Sequence, residues 1–168
     1  RELGVAPGYD KKFLEGQFIK SLPQETRDDI ATYGIRNLAL LTSAPTGTTS
    51  ILAGVSSGIE PVFDAVYTRK DATGTYEVVH PLFRENGDAD YCVTAPEVTP
   101  AEHIAVQAQI QRYVDSSVSK TINLPNSTTK EAIATIYMKA FQSGCKGITV
   151  ARLGMDGNVM EGCKSCQL

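Results

Sequence analysis

Leu38–Thr42 is a short continuous apolar run, and Val118–Leu124 and Gly147–Ala151 are further candidate strands. Short continuous runs of this kind fit strands buried on both faces, as in a parallel sheet. Between the later runs the period changes. Val106, Ile110, Tyr113 and Val114 recur at i, i+4, i+7 and i+8, and Ile133, Ile136, Tyr137, Ala140 and Phe141 do the same further on. That spacing predicts two helices, each with one apolar face. Thr99-Pro100-Ala101-Glu102 and Thr128-Thr129-Lys130-Glu131 stand before them with the spacing of capping boxes, and Gly144 ends the second.

Earlier in the chain, residues 1–9 read as a connector and Asp10–Lys20 as a helical stretch. Ser21-Leu22-Pro23-Gln24 has capping-box spacing with Pro early in the helix, which should run to about Tyr33 and stop at Gly34. Ala65–Arg69 and Thr75–Val79 are β-rich and separated by Asp71-Ala72-Thr73-Gly74, which predicts a hairpin. Pro81 to Ala95 reads as irregular. Strand, helix, strand, helix, strand is the order of an α/β fold with crossover helices.

Composition narrows the picture only a little. The 168 residues suffice for one domain with a core, and the net charge of −3 argues against a nucleic-acid-binding face. No window is apolar enough for a membrane span, so the expectation is a cytoplasmic protein. The start at Arg1-Glu2-Leu3-Gly4, without an apolar leader, reads as a piece cut from something longer or a trimmed form. Cys92 and Cys145 read as small buried hydrophobes. No metal site is expected, because neither His80 nor His103 has a partner at ligand spacing.

The candidate chemistry lies in the loop after the first apolar run. Ala44-Pro45-Thr46-Gly47-Thr48-Thr49-Ser50 is rich in hydroxyls and holds a glycine where a helix could open. Such a loop is either an ordinary N-cap, for which Ser and Thr are favoured, or a phosphate cradle made of unpaired N–H groups and hydroxyls. No lysine follows, so the mononucleotide P-loop pattern is absent.

Several stretches carry a family resemblance: Gly34-Ile35-Arg36-Asn37, Leu40-Leu41-Thr42, Ala44 to Ser50, Gly54-Val55-Ser56-Ser57-Gly58-Ile59-Glu60-Pro61-Val62-Phe63, Val118-Ser119-Lys120-Thr121-Ile122-Asn123-Leu124-Pro125, and Gly144-Cys145-Lys146-Gly147-Ile148-Thr149-Val150. In this order the chain, from about Phe18 to Arg152, resembles the adenosylcobalamin-dependent (class II) ribonucleotide reductases, in the C-terminal part of their catalytic domain. The resemblance implies an α/β fold: a partial, C-terminal portion of a ten-stranded α/β barrel, here with a β-hairpin insertion. Residues 1–155 would belong to that barrel and 156–168 to a flexible tail.

The same resemblance implies that Ala44, Pro45, Thr46, Gly47, Thr48, Thr49 and Ser50 bind the phosphates of a ribonucleoside di- or triphosphate. It implies thiyl-radical chemistry in which adenosylcobalamin starts the reaction, the ribose 2′-hydroxyl leaves as water and two cysteines supply electrons. The family's radical cysteine lies in an Asn-x-Cys-x-Glu finger loop, a pattern this sequence lacks. The chain alone is therefore expected to be inactive, to have no catalytic residue of its own, and to need the remaining N-terminal part of a reductase or to self-associate. A non-catalytic phosphate-binding module or relic chain is the alternative.

Cys163 and Cys166 form a Cys-x-x-Cys pair near the end of the chain. The resemblance implies a redox shuttle that takes electrons from a thioredoxin-like reductant. Half of a zinc site and a tail without function are the other readings. Glu60 and Lys120 lie in matching stretches and read as structural ion-pair or hydrogen-bonding groups rather than catalysts. After Val150 the family's Tyr-Arg-Asp-Gly-Ser is replaced by Ala151-Arg152-Leu153-Gly154-Met155.

Overall fold

A computed structural model of the chain describes residues 2–71, 74–87 and 89–152. The Cys163 and Cys166 pair and the tail from 156 onward lie outside the described residues.

The core is built on a β–α–β unit. Strand β3 (Thr121–Leu124) leads through helix α6 (Lys130–Gln142) to strand β4 (Thr149–Arg152). The two strands are parallel, with Thr121 opposite Thr149 and Leu124 opposite Arg152. Helix α5 (Pro100–Gln111) packs beside α6 on the same unit. Ile104, Ile122, Leu124, Ile136 and Ala140 form the buried cluster, with Ile133, Cys145, Ile148 and Val150 packed against it. Each buried aliphatic side chain of this size stabilises by roughly 1.5–3 kcal/mol. Cys145 behaves as expected: burial pushes its thiol above the ordinary value.

The predicted strand at Leu38–Thr42 is not a strand buried on both faces. Leu38 and Leu41 are exposed, and the strand-like pairing here is a single parallel bridge just beyond the segment, between Ser43 and Val118. It is nevertheless tied down. The Asp115 carboxylate accepts from Leu40 N at 2.7 Å and Leu41 N at 2.5 Å, Ser116 N donates to Leu41 O, and Ser119 N donates to Ser43 O. Burial raises the Asp115 pKa, but these backbone donors outweigh it and leave the carboxyl below its ordinary value. An aspartate side chain thus stands in for ladder bonds, which is why the segment runs alongside 115–119 without regular pairing.

The N-terminal expectations need correction in detail. The stretch Asp10–Lys20 is two pieces, a 3-10 turn at Lys11–Glu15 and α1 (Gln17–Ser21), separated at Gly16. Helix α2 (Gln24–Tyr33) has Pro23 at its N-cap and no side-chain cap, so the Ser21 capping box does not form. The Ser21 hydroxyl donates to Phe18 O instead. Gly34 ends α2 with φ +71°, and a Cβ there would lie 2.8 Å from both methyls of Val5. The presumed connector is therefore docked: Ala6 N donates to Ile35 O and the Tyr9 hydroxyl to Ile30 O.

The hairpin is present as β1 (Val66–Asp71) and β2 (Gly74–Val79), antiparallel, with Val66 opposite Val79. Helix α4 (Pro81–Asn86) follows where irregular chain was expected. Pro81 at the first helical position and the His80 ring, which accepts from Leu82 N at 3.3 Å, start it.

Helix α5 opens with the predicted capping box. Thr99 accepts from Glu102 N, and the Glu102 carboxylate accepts from Thr99 N at 2.8 Å. Its buried face is not the predicted one. His103, Ile104, Gln107 and Gln111 are buried, whereas Val106 and Tyr113 are exposed. Helix α6 starts one residue later than expected: Thr129 is the N-cap and accepts from Ala132 N, while the Thr128 hydroxyl donates to Pro125 O. Ile136 and Ala140 face the core as predicted, but Tyr137 and Phe141 are exposed.

Candidate functional site

Helix α3 (Gly47–Ala53) begins inside the hydroxyl-rich loop, directly after the segment bridged to Val118. Its first intrahelical bond is donated by Ser50 N to Thr46 O at 2.9 Å. The N–H groups of Gly47, Thr48 and Thr49 precede that bond and have no acceptor within the helix. An N-cap of Ser or Thr ordinarily covers such groups with its side chain. Here Thr46 makes no side-chain cap bond. It adopts the left-handed conformation, φ +49° and ψ 28°, and is the non-glycine residue with positive φ among those described. A β-branched residue is held in that region only by its surroundings.

Those surroundings are visible. The Thr46 hydroxyl accepts from Gly58 N at 3.0 Å. Ser50, 5% exposed, donates to Gly47 O at 2.8 Å and shares a hydrogen bond with the Ser57 hydroxyl at 2.7 Å. Thr49 donates to Thr46 O. The hydroxyls of Thr46, Thr49 and Ser50, expected as phosphate donors, therefore engage the loop itself. Thr48 and Thr49 are exposed. Ala44 and Pro45 precede Thr46, and a Cβ on Gly58 would approach Ala44 O to 3.0 Å.

Behind the loop stands the Glu60–Lys120 ion pair, as the sequence led one to expect. Lys120 is 3% exposed, and also donates to Thr121 O at 2.7 Å. The second Glu60 oxygen accepts from Thr121 N at 2.5 Å. Burial pushes the Lys120 amine below its ordinary value, against the pull of Glu60. His103 lies near them, with its ring at 3.2 Å from Ala95 O. Burial, and then the Lys120 charge, lower its pKa.

Sequence reasoning missed the polar ladder of α5. Gln107 Nε2 donates to Val118 O at 3.1 Å and Gly147 O at 2.6 Å. Gln111 Nε2 donates to Val114 O and Ser116 O, and its Oε1 accepts from Lys146 N. These glutamines satisfy carbonyls where the parallel segments begin. Their spacing of four, continuing from His103, was the available signal, but a polar stripe on a helix ordinarily marks the solvent face.

Among the described residues no group of three or more His, Cys, Asp or Glu could hold a metal ion, and no helix is long and apolar enough to cross a membrane. Cys92 and Cys145 are both partly buried and unpaired.

Against known proteins, residues 15–151 match the family described as ribonucleotide reductase, barrel domain. The chain is 40% identical over 147 residues to the vitamin B12-dependent ribonucleoside-diphosphate reductase of Thermoplasma acidophilum, covering 70% of this chain and 19% of that protein. It is 31% identical over 190 residues to the protein of the same name from Mycobacterium tuberculosis, covering 95% of this chain and 26% of that one. It is 30% identical over 127 residues to the ribonucleoside-diphosphate reductase subunit alpha of Mycoplasma pneumoniae, covering 74% of this chain and 18% of that protein. The chain thus spans about a fifth to a quarter of the length of these relatives.

Proposed function

Because this chain belongs to the ribonucleotide reductase barrel-domain family, we propose that it supplies the substrate-phosphate loop of an enzyme that reduces ribonucleotides to deoxyribonucleotides. The observation that carries the reading is the start of α3. Three N–H groups stand ahead of the first helical bond, and the N-cap side chain is turned away from them to Gly58. Helix N-termini of this kind suit anions, through both N–H direction and dipole. The amides of Gly47, Thr48 and Thr49 and the hydroxyl of Thr48 hold the diphosphate. Thr46 and Ser50 shape the loop, and Ala44 and Pro45 set its entry.

The names of the two vitamin B12-dependent relatives support adenosylcobalamin as the cofactor and a ribonucleoside diphosphate as the substrate. Bound cobalamin would supply radical initiation. The described residues are not matched to it: His80 caps α4 with Nδ1, and the His103 ring is buried against Ala95 O. No step is assigned to this chain through that group. Its share is orientation, and misplacing a substrate by about 1 Å can cost on the order of 100-fold in rate.

The rest of the reading follows the family. The chain forms part of a ten-stranded barrel whose other strands carry the radical cysteine, and Cys163 with Cys166 pass electrons from a thioredoxin-like reductant. Replacing both by serine should spare turnover driven by dithiothreitol and stop turnover driven by thioredoxin. The phosphate loop is tested with a Gly47→Val variant of the reductase assembled with its remaining segments. Loss of ribonucleoside diphosphate binding with the fold retained is expected; unchanged affinity rejects the loop assignment.

A further inference from the structure

The phosphate loop is shaped by a turn that has its own anchor. Glu60 N donates to Ser57 O at 2.8 Å, closing residues 57–60 into a turn. From one side of this turn, Gly58 N and the Ser57 hydroxyl reach Thr46 and Ser50, the two residues that set the start of α3. From the other side, the Glu60 carboxylate grips the beginning of β3 with both oxygens, one on Lys120 Nζ and one on Thr121 N. A cavity of about 320 Å³, lined by Gly58, Ile59, Glu60, Val98, His103 and Lys120 among others, lies against the turn. Polar tethers cross from the turn to both the loop and β3. A lysine buried to this degree is stable only when paired, so the Lys120 charge in turn holds the Glu60 carboxylate at one place.

We propose that Glu60, held by Lys120, is a positioning residue for the phosphate loop: it fixes the 57–60 turn on β3, and the turn holds Thr46 in its left-handed conformation and so aims the amides of Gly47, Thr48 and Thr49. This rests on the phosphate reading of that loop. The chain of contacts is continuous from β3 to the loop, and it ends on the Thr46 hydroxyl, in a residue with φ +49°.

The test uses the reductase assembled with its remaining segments, with adenosine 5′-diphosphate and adenosine as probes. Equilibrium dialysis gives their affinities, and hydrogen–deuterium exchange follows the peptide spanning 44–58. The double variant Glu60→Ala with Lys120→Met removes the anchor without leaving a buried unpaired charge. Its affinity for the diphosphate should fall about tenfold, within the range of coupled sites, while adenosine binding stays unchanged. Glu60→Gln with Lys120→Met keeps an acceptor for Thr121 N and should restore most of the loss. Ser57→Ala removes one of the two links between turn and loop, the hydroxyl bond to Ser50, and should weaken diphosphate binding by itself. It decides the matter if the first variant does not fold.

Unchanged diphosphate affinity in the double variant and in Ser57→Ala overturns the proposal, as does an equal loss for both probes, which marks a general structural defect. If the diphosphate protects the 44–58 peptide in the wild type and equally in the variants, positioning fails and the phosphate reading stands. If it binds the wild type without protecting that peptide, both fail.

Discussion

Gln107 is fully buried, yet its amide is there to serve the backbone. Its two donors meet the carbonyls of Val118 and Gly147, and its Oε1 is buried without a partner among the described residues. Replacing Gln107 by Leu would fill a similar space and leave two carbonyls unpaired, at about 1–3 kcal/mol each. Chemical denaturation should show a loss of that order. His103 adds a pH dependence. Burial and the Lys120 charge depress its folded-state pKa, so the native state binds its proton later than the unfolded chain as pH falls. Stability should therefore decline below about pH 6.5, the ordinary histidine value. Glu60 and Glu102 also face this ring and temper the effect without reversing its direction. In a His103→Gln variant that part of the slope should disappear from a denaturation series across pH 5–8.

At the scale of elements, local signals and tertiary needs can be told apart. Helix α5 starts where its capping box says, and Thr99→Ala should cost about 1 kcal/mol. The Thr99 hydroxyl and amide hold the Glu102 carboxyl below its ordinary value, so the box stabilises at neutral pH and is lost as pH falls through that lowered value. Thermal melts of wild type and Glu102→Gln should converge in acid. Gly34 offers a sharper case. Alanine there needs a positive φ and meets Val5, so Gly34→Ala should destabilise by more than about 1 kcal/mol. The faces of α5 and α6 were less legible. Apolar period alone chose Val106 and Tyr113 over the glutamines, because it cannot register a carbonyl that needs a donor.

Taken whole, the molecule has an unfinished surface. Leu38, Leu41, Ile51, Leu52 and Phe141 are all exposed, with Leu52 at 90%. Sequence patterning expected the first two inside, and the family relation gives the reason: the chain spans only about a fifth to a quarter of its relatives. Exposed apolar residues on an incompletely paired parallel edge favour association. By sedimentation the isolated chain should self-associate, or bind the missing barrel segments when they are added. It should show no nucleotide reduction by itself. A monodisperse monomer would contradict the first expectation, and cobalamin-dependent turnover the second.

The sequence by itself determined the capping box of α5, the hairpin, the parallel β–α–β unit and the family. Each depends on neighbours a few residues apart or on motifs read in order. It also pointed to the loop at Thr46–Ser50 and to Glu60 and Lys120. Only the tertiary structure decided that Thr46 takes a left-handed conformation, that Ser50 faces inward to Ser57, that Asp115 replaces ladder bonds for Leu40 and Leu41, and that α5 buries Gln107. In each of these cases the partner lies at least seven residues away. What fixes the residue is a hydrogen bond to a group distant along the chain, and no local pattern records which distant group will need it.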